Sequence, residues 1–359
     1  MEAFKIALDK LQFQKDLISW FAEEKRDLPW RRTSDPYQIW ISEIMLQQTR
    51  VDTVIPYYKR FVEKFPTLRD LAEADEEILL KQWEGLGYYS RARNLQAGVK
   101  EVAEKYDGIV PASRKEISSL KGVGPYTAGA VLSIAYGIPE HAVDGNVMRV
   151  LSRILLIEED IAKPKTRKIF EEAVTELISH EDPSSFNQGL MELGALICTP
   201  TSPKCLLCPV REHCAAFHEG KQHELPTKTK AKKNKAVQYA MLAILYGKSV
   251  LMEKRPSTGL LANMWQFPMI ELTEEVLPLE IEEQLSENFQ GVVSNAEKIT
   301  SFKHVFSHLT WNVDGYIAKG QNLNVPSHMK WVTAEELELL PISGPVQKMK
   351  AVLKQRGDV

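Results

Sequence analysis

The sequence predicts a multidomain protein with an all-α region over residues 1–220 and an α+β domain over residues 236–359. At 359 residues the chain is longer than a single core usually organises. Helix start signals recur in the first region without strand-like alternation, and strand-like runs begin only in the second. A lysine-rich stretch, residues 221–235, lies between the two regions and reads as an interdomain linker.

Aspartate–proline pairs mark helix starts in the first region. Asp35 precedes PYQIWISEIMLQQ and Asp182 precedes PSSFNQGLMELGALIC, so each offers an N-cap followed by proline at the first helical position. Ser113 with Glu116 has the spacing of a capping box. These signals predict helices beginning near residues 36, 114 and 183.

The second region combines strands and helices. The runs VQYAMLAILY and SVLMEKR flank Gly247-Lys248 and predict a β-hairpin, and HVFSHLTWNVDGYIA also reads as strand material. LEIEEQLSENF reads as a helix, as does LELL after the capping pair Thr333 and Glu336. This alternation predicts a separate α+β domain.

Composition and charge place broad limits on function. Hydrophobic residues make up 44% of the chain and charged residues 26%, as in ordinary globular proteins. No apolar run is long enough for a membrane span, and the N-terminal stretch MEAFKIALDKLQFQ lacks the apolar segment of a secretory signal peptide. We expect a cytoplasmic, reduced protein. The net charge of −3 neither predicts nor excludes a nucleic-acid partner, because phosphate binding depends on local charge.

The linker has its own charge pattern. Leu225–Lys235 carries five lysines and no acidic residue. Such a run is either a solvated spacer or a spacer that also lies along phosphates, and the sequence is compatible with both.

All four cysteines, Cys198, Cys205, Cys208 and Cys214, lie in one segment with the spacing C-x6-C-x2-C-x5-C. Disulfides are not expected in a reducing cytosol. Zinc sites usually pair two close knuckles and only one is present, so the spacing favours a [4Fe–4S] cluster over zinc. The loop can carry electrons, present basic side chains to phosphate or clamp helices together, and the sequence does not choose among these roles.

The segment LKGVGPYTAGA (120–130) reads as a helix, a tight turn and a second helix. Gly122 and Gly124 permit backbone angles that other residues avoid, and Pro125 suits the first helical position. The turn directs N–H groups of a helix N-terminus outward, which suits a phosphate, and its carbonyl groups can hold a structural cation. An ordinary αα-hairpin is the alternative, but the full motif resembles the helix-hairpin-helix of DNA repair proteins.

Several segments together resemble the endonuclease III superfamily of DNA glycosylases, and within it the MutY-type adenine DNA glycosylases. The segments are SEIMLQQTRVDTV (42–54), WEGLGYYSRARNL (83–95), LKGVGPYTAGA (120–130) and VDGNVMRVLSR (143–153), together with the cysteine spacing. The resemblance extends over nearly the whole chain. It implies a six-helix barrel and cluster module over 1–220, with residues 1–30 packing on the cluster module.

The activity implied by this resemblance is base excision repair. Adenine mispaired with 8-oxoguanine or guanine is removed from duplex DNA by acid-assisted hydrolysis of the N-glycosidic bond, which leaves an abasic site. The expected partner is therefore double-stranded DNA with that mispair, in the nucleoid. We expect the chain to be monomeric.

Base excision needs an acid for the leaving base and a carboxylate that stabilises the cationic sugar. Glu43 lies between Ile39 and Leu46 on one helix face, an apolar setting that raises a carboxyl pKa, although an exposed amphipathic position is the alternative. The resemblance implies that Glu43 protonates adenine N7 and then helps to activate water. It implies that Asp144, which otherwise reads as a helix N-cap, stabilises the oxocarbenium ion electrostatically or covalently.

Position 126 separates two chemistries within the superfamily. In bifunctional relatives this position is a lysine that forms a Schiff base and then cuts the strand. Tyr126 cannot do so, and we therefore predict a monofunctional glycosylase. The resemblance implies that Tyr126 and Asn146 support the catalytic step.

A base inside a duplex must be flipped out before it can react. The resemblance implies that Gln48 and Thr49 penetrate the helix and that Leu86 and Tyr88 wedge beside the opposing base. The alternative for GLGYY is a helix–helix turn with buried tyrosines.

The adenine pocket is implied to include five side chains: Arg26, Leu28, Trp30, Arg31 and Gln188. In this interpretation Trp30 stacks on the base and Arg31 reads its edge. The Gln188 amide both donates and accepts, which suits the exocyclic amine beside ring N7. Some family members carry glutamate at that position.

The C-terminal region resembles the Nudix fold of MutT-type nucleotide hydrolases. MWQFPM (264–269) resembles the segment at which a strand of that family begins. A working Nudix box has glycine after the proline and an R-E-x-x-E-E helix. Met269 replaces the glycine and EIEEQLSENF lacks the arginine, so we expect no pyrophosphohydrolase activity. The resemblance instead implies that Phe306-Ser307-His308 senses 8-oxoguanine, whereas a strand with surface polar residues is the alternative.

Two competing functions remain at this point. One is a related endonuclease III-type glycosylase with lyase activity, against which Tyr126 and the C-terminal domain argue. The other is a non-catalytic iron–sulfur DNA-binding protein, against which the carboxylates Glu43 and Asp144 argue.

Overall fold

The computed structural model describes residues 8–229, 234–272 and 277–359. The linker predicted at 221–235 and the N-terminal stretch therefore lie partly outside the described residues. The chain divides into two compact units, Met1–Glu73 with Asn94–Ala231 and Ala74–Arg93 with Lys232–Val359. The second unit thus contains a segment that lies, in sequence, inside the region predicted to be helical.

Residues 8–229 form helices and no strand, as the sequence predicts. The α-helices are α1 (Lys10–Glu24), α2 (Pro36–Leu46), α3 (Val51–Lys64), α4 (Leu68–Glu73), α5 (Glu76–Trp83), α6 (Ser90–Lys105), α7 (Arg114–Ile117), α8 (Pro125–Tyr136), α9 (Gly145–Ile154), α10 (Pro164–Leu177), α11 (Pro183–Leu196) and α12 (Ala215–His218). Short 3-10 helices span Pro29–Arg31, Cys205–Leu207 and Arg211–His213. No helix in the described ranges is both long and apolar enough to cross a membrane.

The helix starts follow the predicted capping signals. Asp35 accepts a hydrogen bond from the Tyr37 N–H, and Asp182 accepts one from the Ser185 N–H. Ser113 caps the N–H of Glu116, but its hydroxyl also donates to the Glu116 carboxylate at 2.6 Å. Both members of the predicted capping box are therefore joined at this helix start.

The core that carries the cysteine segment is built from α1, α9, α10 and α11. Phe13 and Leu17 of α1 are fully buried in it. The same helix contacts the cysteine segment, because Asp16 lies 2.9 Å from the Nε2 atom of His213. The hydrogen bond from His213 lowers the pKa of Asp16. The N-terminal helix thus contacts the cysteine segment through Asp16.

The second unit contains a seven-stranded sheet whose main path runs β3-β2-β1-β6-β5, with β4 pairing to β1 and β7 to β2. The strands are β1 (Lys235–Tyr246), β2 (Ser249–Lys254), β3 (Trp265–Gln266), β4 (Met269–Leu272), β5 (Val292–Val305), β6 (Leu309–Gln321) and β7 (Met329–Thr333). The predicted hairpin is confirmed by the pairing of Tyr246 with Ser249. Strands β1 and β6 are parallel, and the other pairs are antiparallel.

Helices cover both faces of this sheet. Alternate residues of β1 point to opposite faces, so that Met241 and Ala243 join one core and Leu242 and Ile244 the other. α13 (Pro278–Phe289) packs on the Leu242 face, and α14 (Ala334–Leu339) and α15 (Gly344–Arg356) pack on the opposite face. The helices predicted near residues 280 and 334 are confirmed.

Candidate active site

A cavity of about 530 Å³ opens in the helical unit. It brings together side chains from the chain preceding α2, from α2 itself, from α8, from the start of α9 and from α11. The predicted residues that line it are Arg26, Leu28, Trp30, Arg31, Glu43, Gln48, Thr49, Tyr126, Asp144, Asn146 and Gln188. Residues that lie far apart in sequence thus meet in one concave site, the usual setting of an enzyme active site.

Glu43 is a buried acid in this cavity. It lies on α2, which begins at the Asp35-Pro36 signal, and the residue is only 5% exposed. The Tyr126 hydroxyl donates a hydrogen bond to its Oε2 atom at 2.5 Å. Burial raises the pKa of Glu43 to about 7; the Tyr126 hydrogen bond and the charge of Arg31 lower it, while the charge of Asp144 raises it. A carboxyl group with this pKa can hold a proton near neutral pH and release it to a base.

Tyr126 serves as a hydrogen-bond donor in this setting. Burial, together with the charges of Glu43 and Asp144, raises the pKa of Tyr126 well above its ordinary value of 10.0. Its hydroxyl also lies 3.6 Å from the Met191 sulfur. The phenol therefore stays protonated and holds the Glu43 carboxyl in one orientation.

Asp144 is the N-cap of α9 as well as a cavity residue. Its Oδ1 atom accepts from the Val147 N–H at 2.7 Å, and its Oδ2 atom accepts from the Asn146 amide at 3.0 Å. Burial raises the pKa of Asp144, and both hydrogen bonds act in the opposite direction by favouring the carboxylate. The capping role and the proposed catalytic role are compatible, because each uses the ionised form.

Asn146 and Arg167 support the position of Asp144. The Asn146 side chain is itself held by Arg149, which donates to its Oδ1 atom at 2.9 Å. Arg167 donates to the backbone carbonyl of Val143 at 2.7 Å and also lines the cavity. Both sides of Asp144 in sequence are thus fixed by guanidinium groups.

The wall of the cavity contains an ion cluster that the sequence did not predict. Glu192 of α11 is almost fully buried and pairs with both Arg26 and Arg31. Both terminal nitrogens of the Arg31 guanidinium are bonded to Glu192, and the role of Arg31 as a base reader stays a prediction. The sequence did contain a signal for Glu192 as a cavity residue. This glutamate interrupts the apolar run GLMELGAL four residues after Gln188, a spacing that places both residues on one helix face.

The other predicted pocket residues differ in exposure. Leu28 and Trp30 are buried, and the Trp30 ring packs edge-on against Tyr58 with centroids 5.5 Å apart. The Gln188 amide donates to the Ser184 hydroxyl at 3.1 Å. Gln48 is exposed in the left-handed backbone region, with φ of 59°, directly after α2. Of this group, Gln48 presents the most accessible side chain at the cavity mouth.

The predicted helix-hairpin-helix turn precedes α8. Gly122 has φ of 77°, and a Cβ atom on it would lie 2.6 Å from the Cβ atom of Asn94. Gly124 is the N-cap of α8 in an extended conformation, and Pro125 occupies the first turn. The turn requires glycine at position 122, and the N-cap residue of α8 has no side chain with which to cover the free N–H groups.

A second cavity, of about 520 Å³, lies in the sheet-containing unit. Its lining includes Tyr88 together with Phe306, Ser307 and His308, so the structure brings these four predicted residues together. Leu86 is buried with 7% exposure and is not part of that lining. Of the two predicted wedges, only Tyr88 is open to a ligand here, with 44% exposure.

Two tight turns shape this second cavity. The first, from Gly85 to Tyr88, has three residues with positive φ, and Arg91 donates to the carbonyl of Gly87 at 3.0 Å while its guanidinium lies 5.5 Å from the Tyr88 ring centroid. The second joins β5 to β6, where the Phe306 N–H donates to the Leu309 carbonyl at 2.7 Å. The Ser307 hydroxyl lies 3.3 Å from His308 Nδ1, and both side chains are exposed.

The four cysteines line one further cavity, enclosed by α9 and the end of α11. In the described ranges, no three potential ligands converge tightly enough to hold a single metal ion. Burial raises the pKa of Cys208 to about 12 and of Cys214 to about 11, so their thiolates need a strong nearby positive charge. Arg153 supplies part of it, with Nη1 at 3.2 Å from the Cys198 sulfur. Four thiol groups around one cavity are a donor set of the kind that iron–sulfur clusters use.

Known protein families match both parts of the chain. The family described as HhH-GPD superfamily base excision DNA repair protein matches residues 41–176, and the NUDIX domain family matches residues 240–351. The chain is 34% identical to the human adenine DNA glycosylase, covering 96% of this chain and 74% of that one. It is 32% identical to the adenine DNA glycosylase of Buchnera aphidicola (subsp. Baizongia pistaciae), covering 96% and 97%.

Solved structures resemble the helical part of the chain. A thermostable thymine-DNA glycosylase is 31% identical with a TM-score of 0.52, covering 58% of this chain and 97% of that one. A non-covalent endonuclease III–DNA complex is 28% identical with a TM-score of 0.50, covering 59% and 98%. The predicted fold class, with a helix-hairpin-helix region and a Nudix-like domain, is confirmed by these matches.

Proposed function

Since the chain belongs to the adenine DNA glycosylase family, we propose that it removes adenine paired with 8-oxoguanine or guanine and leaves an abasic site. It is a DNA N-glycosylase of base excision repair and therefore a hydrolase that acts on duplex DNA. The observation that carries the finer proposal is the buried Glu43 carboxyl, held by Tyr126 in the same cavity as Asp144.

Glu43 is the general acid in this proposal. Adenine leaves readily only after protonation, and N7 is the ring nitrogen that faces an acid when the flipped base enters the cavity. With a pKa of about 7, Glu43 carries the proton in a large fraction of molecules at neutral pH. After the base has left, the carboxylate accepts a proton from the attacking water.

Asp144 stabilises the positive charge that develops on the sugar. Its carboxylate is fixed by the Val147 N–H and the Asn146 amide, so little reorganisation accompanies the reaction. Tyr126 replaces the lysine of bifunctional relatives, and no amine stands at that position for a Schiff base. We therefore propose a monofunctional reaction.

The second cavity is proposed to receive the base opposite the adenine. Tyr88 is an aromatic face for stacking, and Ser307 and His308 supply a hydroxyl and an imidazole for the N7–H and 8-oxo groups. Gln48 and Thr49 are proposed to enter the space left by the flipped adenine. Gly122 and Gly124 place the N-terminus of α8 against a phosphate, with a structural cation at the turn carbonyls.

Cys198, Cys205, Cys208 and Cys214 are proposed to hold a [4Fe–4S] cluster. The shared cavity and the neighbouring Arg153 support a buried group held by thiolates, and the cysteine spacing favours a cluster over a single zinc ion. When bound, the cluster would supply the positive charge that buried thiolates require. We further propose that the protein is a monomer that acts at the nucleoid in the cytoplasm.

A labelled duplex with one adenine opposite 8-oxoguanine tests the reaction. Single-turnover incubation is followed by treatment with or without hot alkali, and matched duplexes carry thymine or cytosine in place of adenine. Breaks that arise only at adenine and only after alkali are the expected result. Breaks without alkali would contradict the monofunctional proposal, and tight binding without any break would contradict excision and favour a non-catalytic DNA-binding protein.

A further inference from the structure

Glu192 has no part in the proposed reaction, yet it is the most heavily hydrogen-bonded carboxylate of the active-site cavity. Its side chain is 1% exposed, while those of Arg26 and Arg31 are 33% and 12% exposed. Nε and Nη2 of Arg26 donate to its two oxygens at 2.9 and 2.7 Å, and the Arg26 backbone N–H donates at 3.0 Å. Both Nη atoms of Arg31 donate at 2.9 Å.

These contacts fix Arg31 from three sides. Besides Glu192, its guanidinium donates to the Arg26 backbone carbonyl at 3.0 Å and lies 5.1 Å from the Phe21 ring centroid. A planar guanidinium held at both ends has little freedom to turn toward another acceptor. Burial raises the pKa of Glu192, but the hydrogen bonds from both arginines outweigh it and bring the pKa to about 2, so the pairing persists across the working pH range.

We propose that Glu192 is a positioning residue that binds Arg31 and Arg26 and thereby prevents either guanidinium from pairing with Glu43. This inference rests on the proposed role of Glu43 as the acid. A guanidinium bonded to Glu43 would favour its carboxylate, and a carboxylate has no proton to give to adenine. Without Glu192, two positive charges would share the cavity with Glu43 and lack their partner.

The charges that face Glu43 come from several elements. Tyr126 on α8 donates to it, Asp144 at the start of α9 opposes its ionisation, and Arg31 in the 3-10 helix before α2 favours it. The remaining charged side chains of the cavity are Arg26, Arg167 and Glu192. Arg167 is bonded to the Val143 carbonyl and to Glu171, and Arg31 is a cavity arginine whose charge lowers the pKa of Glu43.

The test is the pH profile of single-turnover adenine excision, from about pH 5 to about pH 9, for Glu192→Gln and the wild-type chain. The glutamine keeps the size of the side chain and removes its charge. We expect the alkaline limb to move to lower pH by about one unit and the rate near neutral pH to fall about tenfold. The control is Glu172→Gln, an exposed carboxylate on α10 that pairs with Lys168. This variant should keep the wild-type profile.

A second variant separates charge from structure. Arg31→Gln added to Glu192→Gln removes one of the two cations that Glu192 had held, the one whose charge lowers the pKa of Glu43. The alkaline limb should then move back toward its wild-type position even if the maximal rate stays low. A purely structural role of Glu192 predicts a lower rate in both variants with an unmoved limb, and that result would overturn the inference.

Glu192→Asp covers the case in which the glutamine variant does not fold. Aspartate keeps the charge but draws it back by one methylene, so we expect a smaller shift of the limb in the same direction, and an unshifted limb would count against the proposal. The wild-type chain in the same assay separates failure of the proposed function from failure of this inference. Failure of wild type to excise adenine contradicts the proposed function, whereas an active wild type with an unmoved Glu192→Gln limb contradicts this inference alone.

Discussion

At the scale of single residues, the proposed excision depends on the proton carried by Glu43. Glu43→Gln keeps the hydrogen bond from Tyr126 but cannot transfer a proton in the same way. We expect the single-turnover rate of adenine excision to fall by about 10² to 10⁴-fold with little change in affinity for the mispaired duplex. Glu63→Gln, an exposed glutamate on α3, is the control. An unchanged rate in Glu43→Gln would exclude Glu43 as the acid.

The Tyr126 hydroxyl tunes that proton. The wild-type rate should fall as the pH rises through about 7, because the acid form of Glu43 is lost there. The Tyr126 hydrogen bond lowers the pKa of Glu43, so Tyr126→Phe should raise it and move the alkaline limb to higher pH while the maximal rate falls. The measurement is the pH profile of both proteins. A limb that moves to lower pH would show that the hydroxyl does not favour the carboxylate.

The same buried acid should cost stability. The pKa of Glu43 is about 7 in the folded state and 4.5 in the reference state, so between these values the folded chain holds a proton that the unfolded chain has lost. Stability therefore falls by up to about 1.4 kcal/mol per pH unit as pH rises through this window. Glu43→Gln should unfold at higher denaturant concentration than wild type at pH 8 and show little difference at pH 4. Equal midpoints at both pH values would contradict the burial cost.

Residue patterns predicted part of this site. Apolar neighbours at Ile39 and Leu46 left both a buried and an exposed Glu43 open, and the structure buries it, with 5% exposure. The partner of Arg26 and Arg31 was not predicted, because the hydrogen bonds that Glu192 accepts join residues 161 and 166 positions apart. No local periodicity records such a pairing.

At the scale of elements, the turn before α8 depends on one glycine. Gly122→Ala combines a left-handed φ of 77° with a Cβ atom only 2.6 Å from Asn94, and we expect a loss of about 1–3 kcal/mol of unfolding free energy. Gly124→Ala, two residues away, meets open space in an extended backbone and should lose much less. Chemical denaturation of the two variants makes the comparison. Equal losses would show that the turn tolerates alanine at position 122.

Element boundaries followed from capping chemistry better than element pairing did. Asp35, Asp182 and Thr333 each accept a backbone N–H at the helix start that the sequence indicates. The parallel pairing of β1 with β6 had no such signal, because β2, β3, β4, α13 and β5 lie between these strands in sequence. Local hydrogen bonds depend on residues that are neighbours in sequence, whereas strand order depends on the packing of the whole core.

At the scale of the whole molecule, the cysteine segment should act as a stabilising clamp. Cys198, Cys208 and Cys214 pack against the core that includes Phe13 and Leu17. Cys208→Ser should lower the iron content per chain and reduce the Tm by roughly 5–10 °C, because the segment would lose the group that holds its loops. Ser202→Ala in the same segment is the control. Full iron content and an unchanged Tm in Cys208→Ser would contradict the proposed ligand set.

The division into two units was only partly predictable. A helical first part and a sheet-containing second part follow from composition and patterning, and the structure has both. The grouping of Ala74–Arg93 with the C-terminal residues does not follow from composition or patterning, because it depends on long-range polar contacts. Trp265 Nε1 donates to Glu77 at 3.1 Å, and the Gln347 amide donates to Glu84 at 2.9 Å.

These contacts impose an order on synthesis. Glu84 accepts a hydrogen bond from the backbone N–H of Ile342, which lies 258 residues later in the sequence. A ribosome adding roughly 5–20 residues per second therefore exposes α5 for on the order of ten seconds or longer before its partner exists. During that interval the helical unit can fold on the growing chain. Ala74–Arg93, which interrupts that unit in sequence, still lacks its C-terminal partners. The contacts made next to α5 are thus completed only after residues near position 342 have been translated.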